Sequence, residues 1–429
     1  MNFDLFYETS GVCIDTRNIQ KDCLFICIKG ANFNGNEFAE KALELGAKYV
    51  VCDEKLFKTH ESIYLVENAL VFLQQLARYH RDQFNIPIIG ITGSNGKTTT
   101  KELIANVLEK KYKTHYTKGN LNNHIGVPLT LLQLNHSHEI AVIEMGANKL
   151  YDISELCIIA NPTHGIITNI GKAHLEGFGS FEGVLTTKKE LYDAVKFNNG
   201  VLFLNSDDEI LNEIIPQEIP HFDYSTQRNS YVKGELISMS PYITMKWNNE
   251  DYHSDNITTT MVGQYNFYNF LAAISIGSYF KVEPTLISEA IAEYIPTNNR
   301  SQIEKTNKNT LILDAYNANP SSMKNSIESF ALMEGSEKLI IVGDMFELGK
   351  ESEEEHLRVI EQIKKLNTKT FFVGSHFNVH ASTMDLANFK FFSTKDALIN
   401  HLKNTTIENS LILLKASRGI GLETIKEFL

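Results

Sequence analysis

A buried strand that runs through a glycine-rich turn into a helix constrains this chain more than any other segment. The apolar run Ile88 to Ile91 leads into the turn Thr92-Gly-Ser-Asn-Gly-Lys-Thr98, and apolar residues recur at helical spacing from Leu103 to Leu108. Such a turn directs backbone N–H groups and a helix N-terminus at a polyphosphate. Lys97 can reach the β- and γ-phosphates, and the Thr98 hydroxyl can bind Mg²⁺. The segment therefore predicts an α/β domain that binds a nucleotide.

This turn is a short form of the general phosphate loop. The general pattern has a glycine five residues before Gly96, where this chain has Ile91. We therefore expect neither a motor protein nor a small GTPase. The alternative is an ordinary glycine-rich turn that happens to precede a lysine.

Length and composition favour a multidomain enzyme. A chain of 429 residues that is 43% hydrophobic, with nine prolines, is long enough for two or three domains. The formal net charge of −12 disfavours a protein that binds nucleic acid, because such binding rests on a basic surface. The five cysteines lie mostly in apolar runs, as buried thiols in a reducing cytoplasm do. The sequence shows neither a signal peptide nor an apolar run of about 20 residues, so we expect a cytoplasmic protein without stable membrane association.

Breaks in the pattern divide the chain into three predicted α/β domains. We predict a small domain over residues 1–84, a central domain with a parallel sheet over 85–297, and a third domain over 298–429. The breaks fall at Asn85-Ile86-Pro87 and at Pro296-Thr297-Asn298-Asn299. In the third domain, helical patterns follow four short apolar runs, which is typical of a doubly wound parallel sheet. These runs are Leu311 to Leu313, Leu339 to Val342, Phe371 to Val373 and Leu411 to Leu414.

Several other elements are predicted from local pattern. We expect helices over Phe72 to Arg81 and from Asn266, a turn at Trp247 to Glu250, and a capping box formed by Ser352 and Glu355. We expect strands at Cys23 to Ile28, Tyr49 to Cys52, Ile140 to Met145, His164 to Asn169, and Gly200 to Leu204.

Polar residues at predicted strand ends are candidate ligand contacts. Asp314, Asp344 and Lys415 follow strands of the third domain, and ligands bind at the carboxyl ends of such strands. Glu144 ends an apolar strand and could hold a metal ion beside the phosphate loop. For each of these residues, a structural use in a turn or cap is the alternative.

Two more segments carry groups suited to ligands. The glycine-containing segment Ala173 to Ser180 holds His174 as a possible metal ligand, and Lys188 follows on a predicted helix. Three carboxamides could recognise amide groups, because each both donates and accepts hydrogen bonds. They belong to Asn120, Asn122 and Asn123. A structural histidine and an asparagine-rich turn are the alternatives.

Taken together, these segments resemble the Mur ligases, the ATP-dependent amide-forming enzymes of peptidoglycan synthesis. The resemblance runs from Asp15-Thr16-Arg17 to Lys415-Ala416-Ser417-Arg418, nearly the whole chain. Sister ligases and folylpolyglutamate synthases share the phosphate loop but differ after the aspartate that matches Asp314. The most discriminating motifs are Gly119-Asn-Leu-Asn-Asn-His-Ile-Gly-Val-Pro128, Asp314-Ala-Tyr-Asn-Ala-Asn-Pro320 and Gly343-Asp-Met-Phe-Glu-Leu-Gly349.

The resemblance implies an architecture and a reaction. The first domain would bind a UDP-sugar, the central one would be P-loop ATPase-like, and the third would be Rossmann-like. The substrates would be ATP, UDP-MurNAc-tripeptide and D-alanyl-D-alanine, joined through an acyl phosphate with release of ADP. Two Mg²⁺ ions would assist, and a monomer is expected. A sister ligase with another donor and a nucleotide-dependent binding module are the alternatives; the module should lack Glu144, His174 or Lys188.

The resemblance also implies roles for individual residues. The ATP phosphates would lie in the loop made by Gly93, Ser94, Asn95, Gly96, Lys97, Thr98 and Thr99. Lys97, Lys188, His174 and Arg300 would be catalytic, and the metal ligands would be Thr98, Glu144, His174 and a carbamylated Lys188. Asn266 would contact adenine, Arg300 the transferred phosphate, and Asp314 the ribose. The UDP-sugar, the peptide or the reacting amine would be contacted by Thr16, Arg17, Gly30, Asn34, Asn36, Asn120, Asn122, Asn123, Tyr316, Asn317 and Asn319.

Five positions depart from the family's usual pattern. Thr16 replaces a serine, Asn36 a histidine, and Asn299 and Ala416 each a glycine. Lys189 replaces a glycine beside Lys188, which leaves two adjacent lysines as candidates for the carbamate. The Lys-x-Glu spacing favours Lys188. None of these changes removes a proposed metal or phosphate ligand.

Overall fold

The computed structural model describes residues 3–297, 299–335, 337–384 and 387–429. Asn298, where the predicted third domain begins, lies outside the described residues. Three sheets of four, nine and six strands follow one another along the chain, and most of their strand pairs are parallel. The predicted α/β class is therefore confirmed. Within the described ranges, no helix has both the length and the apolar character that a membrane span requires.

The first sheet is parallel, with the strand order β1-β2-β5-β6, and β3 and β4 form a short hairpin beside it. The helix predicted over Phe72 to Arg81 begins earlier, at Ala69. The Asn68 side chain accepts the N–H of Val71 and so caps the start of this helix. In chain order the elements are β1 (Val12–Cys13), β2 (Leu24–Ile26), β3 (Lys29–Gly30), β4 (Phe33–Asn34), α1 (Ala39–Glu44), β5 (Tyr49–Cys52), β6 (Ile63–Leu65) and α2 (Ala69–Arg81).

The second sheet has nine strands in the order β15-β14-β13-β12-β11-β10-β7-β9-β8. Its strands are β7 (Ile88–Thr92), β8 (Thr114–Tyr116), β9 (Ile140–Glu144), β10 (His164–Ile167), β11 (Val201–Asn205), β12 (His221–Ser225), β13 (Val232–Ser238), β14 (Thr244–Asn248) and β15 (Ile257–Thr258). Its helices are α3 (Lys97–Glu109), α4 (Gly126–Leu131), α5 (Asp152–Ala160), α6 (Leu175–Phe178), α7 (Phe181–Phe197), α8 (Glu209–Ile214), α9 (Asn266–Tyr279) and α10 (Pro284–Glu293).

Strand β7 lies inside this sheet, between β10 and β9, and all five of its residues are buried. Apolar clusters cover both faces of the sheet, one built largely on α5 and α7 and the other on α3 and α9. The turn that follows β7 is therefore anchored in the middle of the molecule's largest core. The predicted turn at Trp247 was misplaced: Trp247 is a buried residue of β14, and the turn begins at Asn249, whose N–H donates to Tyr252.

The third sheet has the strand order β16-β17-β21-β18-β19-β20. Among the strands that the structure describes in this sheet, only β16 runs antiparallel, because a tight turn from Thr306 to Asn309 joins it to β17. Its strands are β16 (Gln302–Lys305), β17 (Thr310–Leu313), β18 (Glu337–Gly343), β19 (Lys369–Val373), β20 (Phe389–Phe392) and β21 (Ser410–Lys415). Its helices are α11 (Pro320–Leu332), α12 (Ser352–Leu366), α13 (Ser375–Asn378) and α14 (Lys395–Lys403).

Two local predictions for this part of the chain need correction or resolution. Ser352 is the first residue of α12 and makes no capping bond, so the predicted capping box is wrong; Glu355 instead pairs with Lys172 and Arg358. Asp344, for which a ligand contact or a structural cap were the alternatives, caps a helix. Its carboxylate accepts the N–H groups of His376 and Phe377 at the start of α13, each at 3.0 Å.

Candidate active site

A cavity of about 570 Å³ lies where the second and third sheets meet, and its size suits a small-molecule site. One wall comes from the phosphate-loop side of the second sheet and the other from strand ends of the third. The cavity brings together 17 of the predicted site residues. They are Ser94, Asn95, Gly96, Lys97, Thr98, Thr99, Asn120, Asn122, Asn123, Glu144, His174, Asn266, Arg300, Asp314, Tyr316, Asn317 and Asn319.

The loop between β7 and α3 forms an anion cradle. Gly93 has φ +145°, and a Cβ there would collide with Thr168; Gly96 has φ +80°. Helix α3 begins at Lys97, so the N–H groups of its first turn have no intrahelical acceptor and face the cavity end. Lys97 folds back and donates from Nζ to the carbonyl oxygen of Gly93 at 2.7 Å. Burial, partly opposed by the Glu144 carboxylate, lowers the pKa of Lys97 to about 8.

Glu144 ends β9 beside this cradle and is only 1% exposed. Its Oε1 accepts hydrogen bonds from Thr98 Oγ1 at 3.1 Å and from Asn122 Nδ2 at 2.7 Å. Its Oε2 is buried and finds no hydrogen-bond partner among the residues that the structure describes. The Thr98 hydroxyl oxygen and the Glu144 carboxylate, with an Oε2 that accepts no hydrogen bond within the described residues, form a set of oxygen ligands that fits Mg²⁺.

His174 directly precedes α6 with φ 52°, and its Nδ1 contacts the carboxylate of Glu347 in the third-sheet region. Burial lowers the pKa of His174, and Glu347 opposes that shift. A neutral imidazole is the form that binds metal ions. The residue therefore offers a nitrogen ligand at the junction of the two walls.

Of the two adjacent lysines, Lys188 points inward and Lys189 outward. Lys188 is 2% exposed, with Nζ 5.6 Å from the Phe178 ring centroid, and it is not among the described residues that line the cavity. Burial, together with the nearby charge of Lys97, lowers the pKa of Lys188 well below that of an ordinary lysine. Lys189 forms an i,i+4 ion pair with Asp193 on the partly exposed side of α7.

The opposite wall is a stack of cations and an aromatic ring. The Arg300 guanidinium lies 3.6 Å from the centroid of the Tyr316 ring, and the Arg418 guanidinium lies 5.2 Å from it. Lys415 donates to Asp314 Oδ2 at 2.7 Å. Asn299 adopts φ 54°, a left-handed conformation that asparagine tolerates better than most residues, which explains how it replaces glycine there.

A few side chains join the two walls. Asn319 donates from Nδ2 to Asn95 Oδ1 at 2.8 Å. Lys172 Nζ pairs with Glu351 at 2.9 Å and with Glu355 at 2.8 Å. These contacts place the Asp314-to-Pro320 motif directly over the phosphate loop.

Some predicted carboxamides are already occupied within the protein. Asn123 Oδ1 accepts the N–H groups of Ile125 and Gly126 ahead of α4. Asn266 donates from Nδ2 to the carbonyl oxygen of Val262 at 2.7 Å, and its Oδ1 accepts from Asn269. Both residues therefore shape the cavity through internal hydrogen bonds as well as lining it.

The predicted UDP-sugar residues lie elsewhere, in the first sheet region. None of them lines this cavity as the described residues trace it; they are Thr16, Arg17, Gly30, Asn34 and Asn36. Arg17 pairs with Asp15 through a contact of 2.6 Å. Asn36 is fully buried, donating to Asn34 and Asp53 and accepting the N–H of Asp53. In this chain Asn36 therefore organises its loop from within.

Sequence reasoning missed three polar residues near the cavity. Lys101 is fully buried, with Nζ 3.8 Å from Glu144 Oε2, and its position four residues after Lys97 on α3 is a signal that could have revealed it. His124 and Asp152 also line the cavity. No local sequence pattern indicates His124 or Asp152, because the two residues meet only through the packing of α5 against the loop that precedes α4.

Comparison with known proteins agrees with this geometry. Three domain families match in order: "Mur ligase family, catalytic domain" over residues 8–81, "Mur ligase middle domain" over 91–277, and "Mur ligase, glutamate ligase domain" over 299–418. The UDP-N-acetylmuramoyl-tripeptide–D-alanyl-D-alanine ligase of Bacillus subtilis (strain 168) is 35% identical, with 97% of this chain and 92% of the relative covered. The Escherichia coli (strain K12) enzyme of the same name is 32% identical over the same shares of both chains.

Solved structures show the same likeness. A crystal structure of MurF from Acinetobacter baumannii is similar with a TM-score of 0.88 at 26% identity, covering 99% of this chain and 97% of that one. MurF ligase from Thermotoga maritima in complex with ADP is similar with a TM-score of 0.87 at 26% identity, covering 100% and 98%. With matched domains over most of its length and relatives above 30% identity, this chain belongs to the Mur ligase family.

Proposed function

We propose that this chain is the ATP-dependent ligase that joins D-alanyl-D-alanine to UDP-N-acetylmuramoyl-tripeptide, with release of ADP and phosphate. One observation carries the proposal: a single cavity unites a phosphate cradle and Glu144 on one wall with Arg300 and the Asp314-to-Pro320 motif on the other. The two substrates come from the names of the relatives, which match over 97% of this chain.

Forming an amide from a carboxylate requires activation, because the carboxylate oxygen is a poor leaving group. The terminal carboxylate of the peptide attacks the γ-phosphorus of ATP, and the bond to the ADP oxygen breaks. Lys97 and Arg300 neutralise the charge on the transferred phosphoryl group. The neutral amine of the dipeptide then attacks the carbonyl carbon of the acyl phosphate, loses a proton, and expels phosphate.

The donor sets fit divalent ions. Thr98 and Glu144, with its unused buried Oε2, would hold one Mg²⁺, and His174 with a carbamylated Lys188 would hold a second. Such ions supply positive charge to the phosphate oxygens. The burial of Lys188 supports a carbamate, because an isolated buried ammonium is costly and CO₂ capture converts the amine into an oxygen ligand.

The second wall would help bind the nucleotide and would exclude water from the reaction. Asn266 would lie beside the adenine, and Asp314, held by Lys415, would bind the ribose. Water hydrolyses an acyl phosphate, so the wall must close during the reaction. The Asn95–Asn319 and Lys172 contacts support such a closed state.

The UDP end of the acceptor would bind the first domain, at residues that include Thr16 and Arg17. The proposed domains are 1–84, 85–297 and 298–429. We also propose that the protein acts in the cytoplasm as a monomer.

A mass-spectrometric assay tests the proposal. Purified protein with UDP-MurNAc-tripeptide, ATP, Mg²⁺ and D-alanyl-D-alanine should form UDP-MurNAc-pentapeptide and ADP together. Omitting either ATP or the dipeptide should abolish the product. Product with a single amino acid in place of the dipeptide would identify a sister ligase, and binding of the nucleotide precursor without any product would identify a binding module; either outcome overturns the proposal.

A further inference from the structure

The loop that follows β18 carries Glu347 from the third-sheet wall of the cavity to the opposite wall. Glu347 lines the cavity, and one of its carboxylate oxygens contacts Nδ1 of His174. The backbones of the two walls also meet here, because the carbonyl oxygen of Glu347 accepts the N–H of Glu176 at 3.3 Å. A side chain from one wall therefore touches a predicted metal ligand on the other.

Hydrogen bonds from the two preceding residues hold this loop in place. The Met345 N–H donates to His356 Nε2 at 3.0 Å, and the Phe346 N–H donates to Ser417 Oγ at 2.9 Å. Glu347 itself has φ 63°, a left-handed conformation that is costly for a residue with a Cβ. The residue in the strained conformation is thus the one whose side chain reaches the imidazole.

The two ring nitrogens of His174 have different surroundings. Nδ1 is buried and contacts the Glu347 carboxylate, whereas Nε2 makes neither a hydrogen bond nor an ion pair with any residue that the structure describes. A histidine that binds a metal ion through one nitrogen commonly directs the N–H of the other at a carboxylate, which fixes the tautomer and the orientation of the ring. The contact at Nδ1 therefore leaves Nε2 as the nitrogen that is available to a metal ion.

We propose that Glu347 is a positioning residue, which orients the ring of His174 so that Nε2 binds the second Mg²⁺ of the proposed site. This inference rests on the proposed function and adds a condition to it. Because Glu347 belongs to the opposite wall, the ring is fixed only when the two walls meet. The second ion and the closed state therefore stabilise each other.

The alternative is that Glu347 only helps to hold the two walls together. Glu351 offers a matched comparison, because its carboxylate also crosses between the walls, to Lys172 at 2.9 Å. When Glu351 is changed, Lys172 keeps its second pair, with Glu355. The side chains of Glu347 and Glu351 are similarly exposed, at 55% and 43%, so we expect substitution of either to leave the protein folded.

Binding of Mn²⁺, a paramagnetic substitute for Mg²⁺, tests the positioning role without turnover. Free Mn²⁺ is measured by electron paramagnetic resonance as the ion is added to protein saturated with a non-hydrolysable ATP analogue. The unaltered protein should bind two ions. Glu347→Ala should weaken binding of the second ion about tenfold or more, and Glu347→Gln, which keeps an acceptor without the charge, should weaken it less. Glu351→Gln should keep both affinities within about twofold.

A double-mutant cycle shows whether the effect passes through His174. His174→Ala should weaken binding of the second ion at least as much as Glu347→Ala does, and combining the two changes should add no further loss. Additive losses would overturn the positioning role. The same conclusion would follow from equal losses in Glu347→Ala and Glu351→Gln, or from a second ion that the unaltered protein does not bind or that Glu347→Ala binds normally.

Pentapeptide formation, measured on the same preparations, separates this inference from the function on which it rests. Product from the unaltered protein, together with normal Mn²⁺ binding by Glu347→Ala, would overturn only the positioning role. Absence of product from the unaltered protein would overturn the proposed function and this inference with it.

Discussion

The two walls of the cavity are built in different ways. Hydrogen bonds between buried and partly buried neighbours hold the phosphate-loop wall. The Ser94 N–H donates to the carbonyl oxygen of Asn169, the Asn95 N–H donates to Asn169 Oδ1, and Thr168 Oγ1 donates to the carbonyl oxygen of Asn95 at 2.6 Å. The opposite wall meets it through a handful of long side chains, such as Lys172 with Glu351, both partly exposed. We therefore expect the first wall to be rigid and the second to be able to move.

Energetics supports this difference. Exposed ion pairs contribute about 0–1 kcal/mol each, because solvent screens them and ordering long side chains costs entropy. The buried core beneath β7 cannot shift without exposing apolar surface on both faces of the sheet. From this comparison we expect phosphate binding to be preorganised in the first wall, and we expect residues of the opposite wall to reach the phosphates only when the walls meet.

The largest effect is expected from removing the cation of the rigid wall. Lys97→Ala should lower kcat/KM about 10²–10³-fold, because a preorganised charge that stabilises the transferred phosphoryl group is lost. Coupled-enzyme measurement of ADP release reports it. Lys110→Ala, just past the far end of the same helix, is the control and should keep its activity. Near-normal ADP release by a folded Lys97→Ala protein would remove the cradle from the mechanism.

Acid should lower the free energy of unfolding of the sheet that carries the phosphate-loop wall. His164 begins β10, which pairs with β7, and burial lowers its pKa to about 4. The unfolded state, with a histidine pKa of about 6.5, binds more protons between pH 6.5 and 4, so the free energy of unfolding falls as pH falls through that window, by about 3 kcal/mol from this residue. Fluorescence of Trp247, the only tryptophan in the sequence, follows urea unfolding of this region.

A substitution isolates the His164 contribution. His164→Gln should flatten the pH dependence of the urea midpoint between pH 6.5 and 4 but leave the part that comes from His115, whose pKa burial also lowers to about 4. His221→Gln, at an exposed histidine on β12, is the matched control substitution. An identical slope in His164→Gln and the unaltered protein would contradict the assignment.

The adjacent lysines sharpen the comparison within the rigid wall. Lys188→Ala should lower turnover about 100-fold, with partial rescue by short carboxylic acids that restore an oxygen ligand. Lys189→Ala should change turnover little, because Lys189 reaches the surface and pairs with Asp193. A steady-state pentapeptide assay with and without acetate measures both. Equal losses in the two variants would show that the pair acts through stability, not through ligation.

The smallest effect is expected at the ion pairs of Lys172, which connect the two walls of the cavity. Lys172→Ala removes the pairs to Glu351 and Glu355 and should lower kcat/KM about two- to fivefold, because the Glu351 pair is exposed and buried Glu355 keeps its pair with Arg358. Raising the salt concentration should reduce the activity of the unaltered protein toward that of the variant. A 100-fold loss would mean that the second wall is held as rigidly as the first.

Much of the fold was predictable because its signals are local. The strand Tyr49 to Cys52 and the helix starting at Asn266 were predicted with the bounds that the structure has. The antiparallel β16 escaped prediction because its mixed residues, Gln302–Lys305, lack a clear apolar alternation. The capping box failed for the opposite reason: its residues fit the pattern, but Glu355 pairs with Lys172 on the other wall of the cavity.

The cavity was only partly predictable. The phosphate loop is a contiguous motif, whereas Lys101 and Asp152 act through contacts with distant elements. Asn36, predicted as a substrate contact, is engaged on both polar atoms within its own domain, which no local pattern could indicate. The roles of all these residues remain predictions.

By itself, the amino-acid sequence determined the α/β class, the nucleotide-binding turn and the family, because these rest on periodicity and on contiguous motifs whose geometry is local. Tertiary structure alone decided which lysine of the Lys188–Lys189 pair faces inward, which carboxylate oxygens lack a hydrogen bond among the described residues, and which side chains join the two walls. The physical reason is that burial and electrostatic environment depend on which distant segments pack together, and that packing is a property of the whole chain.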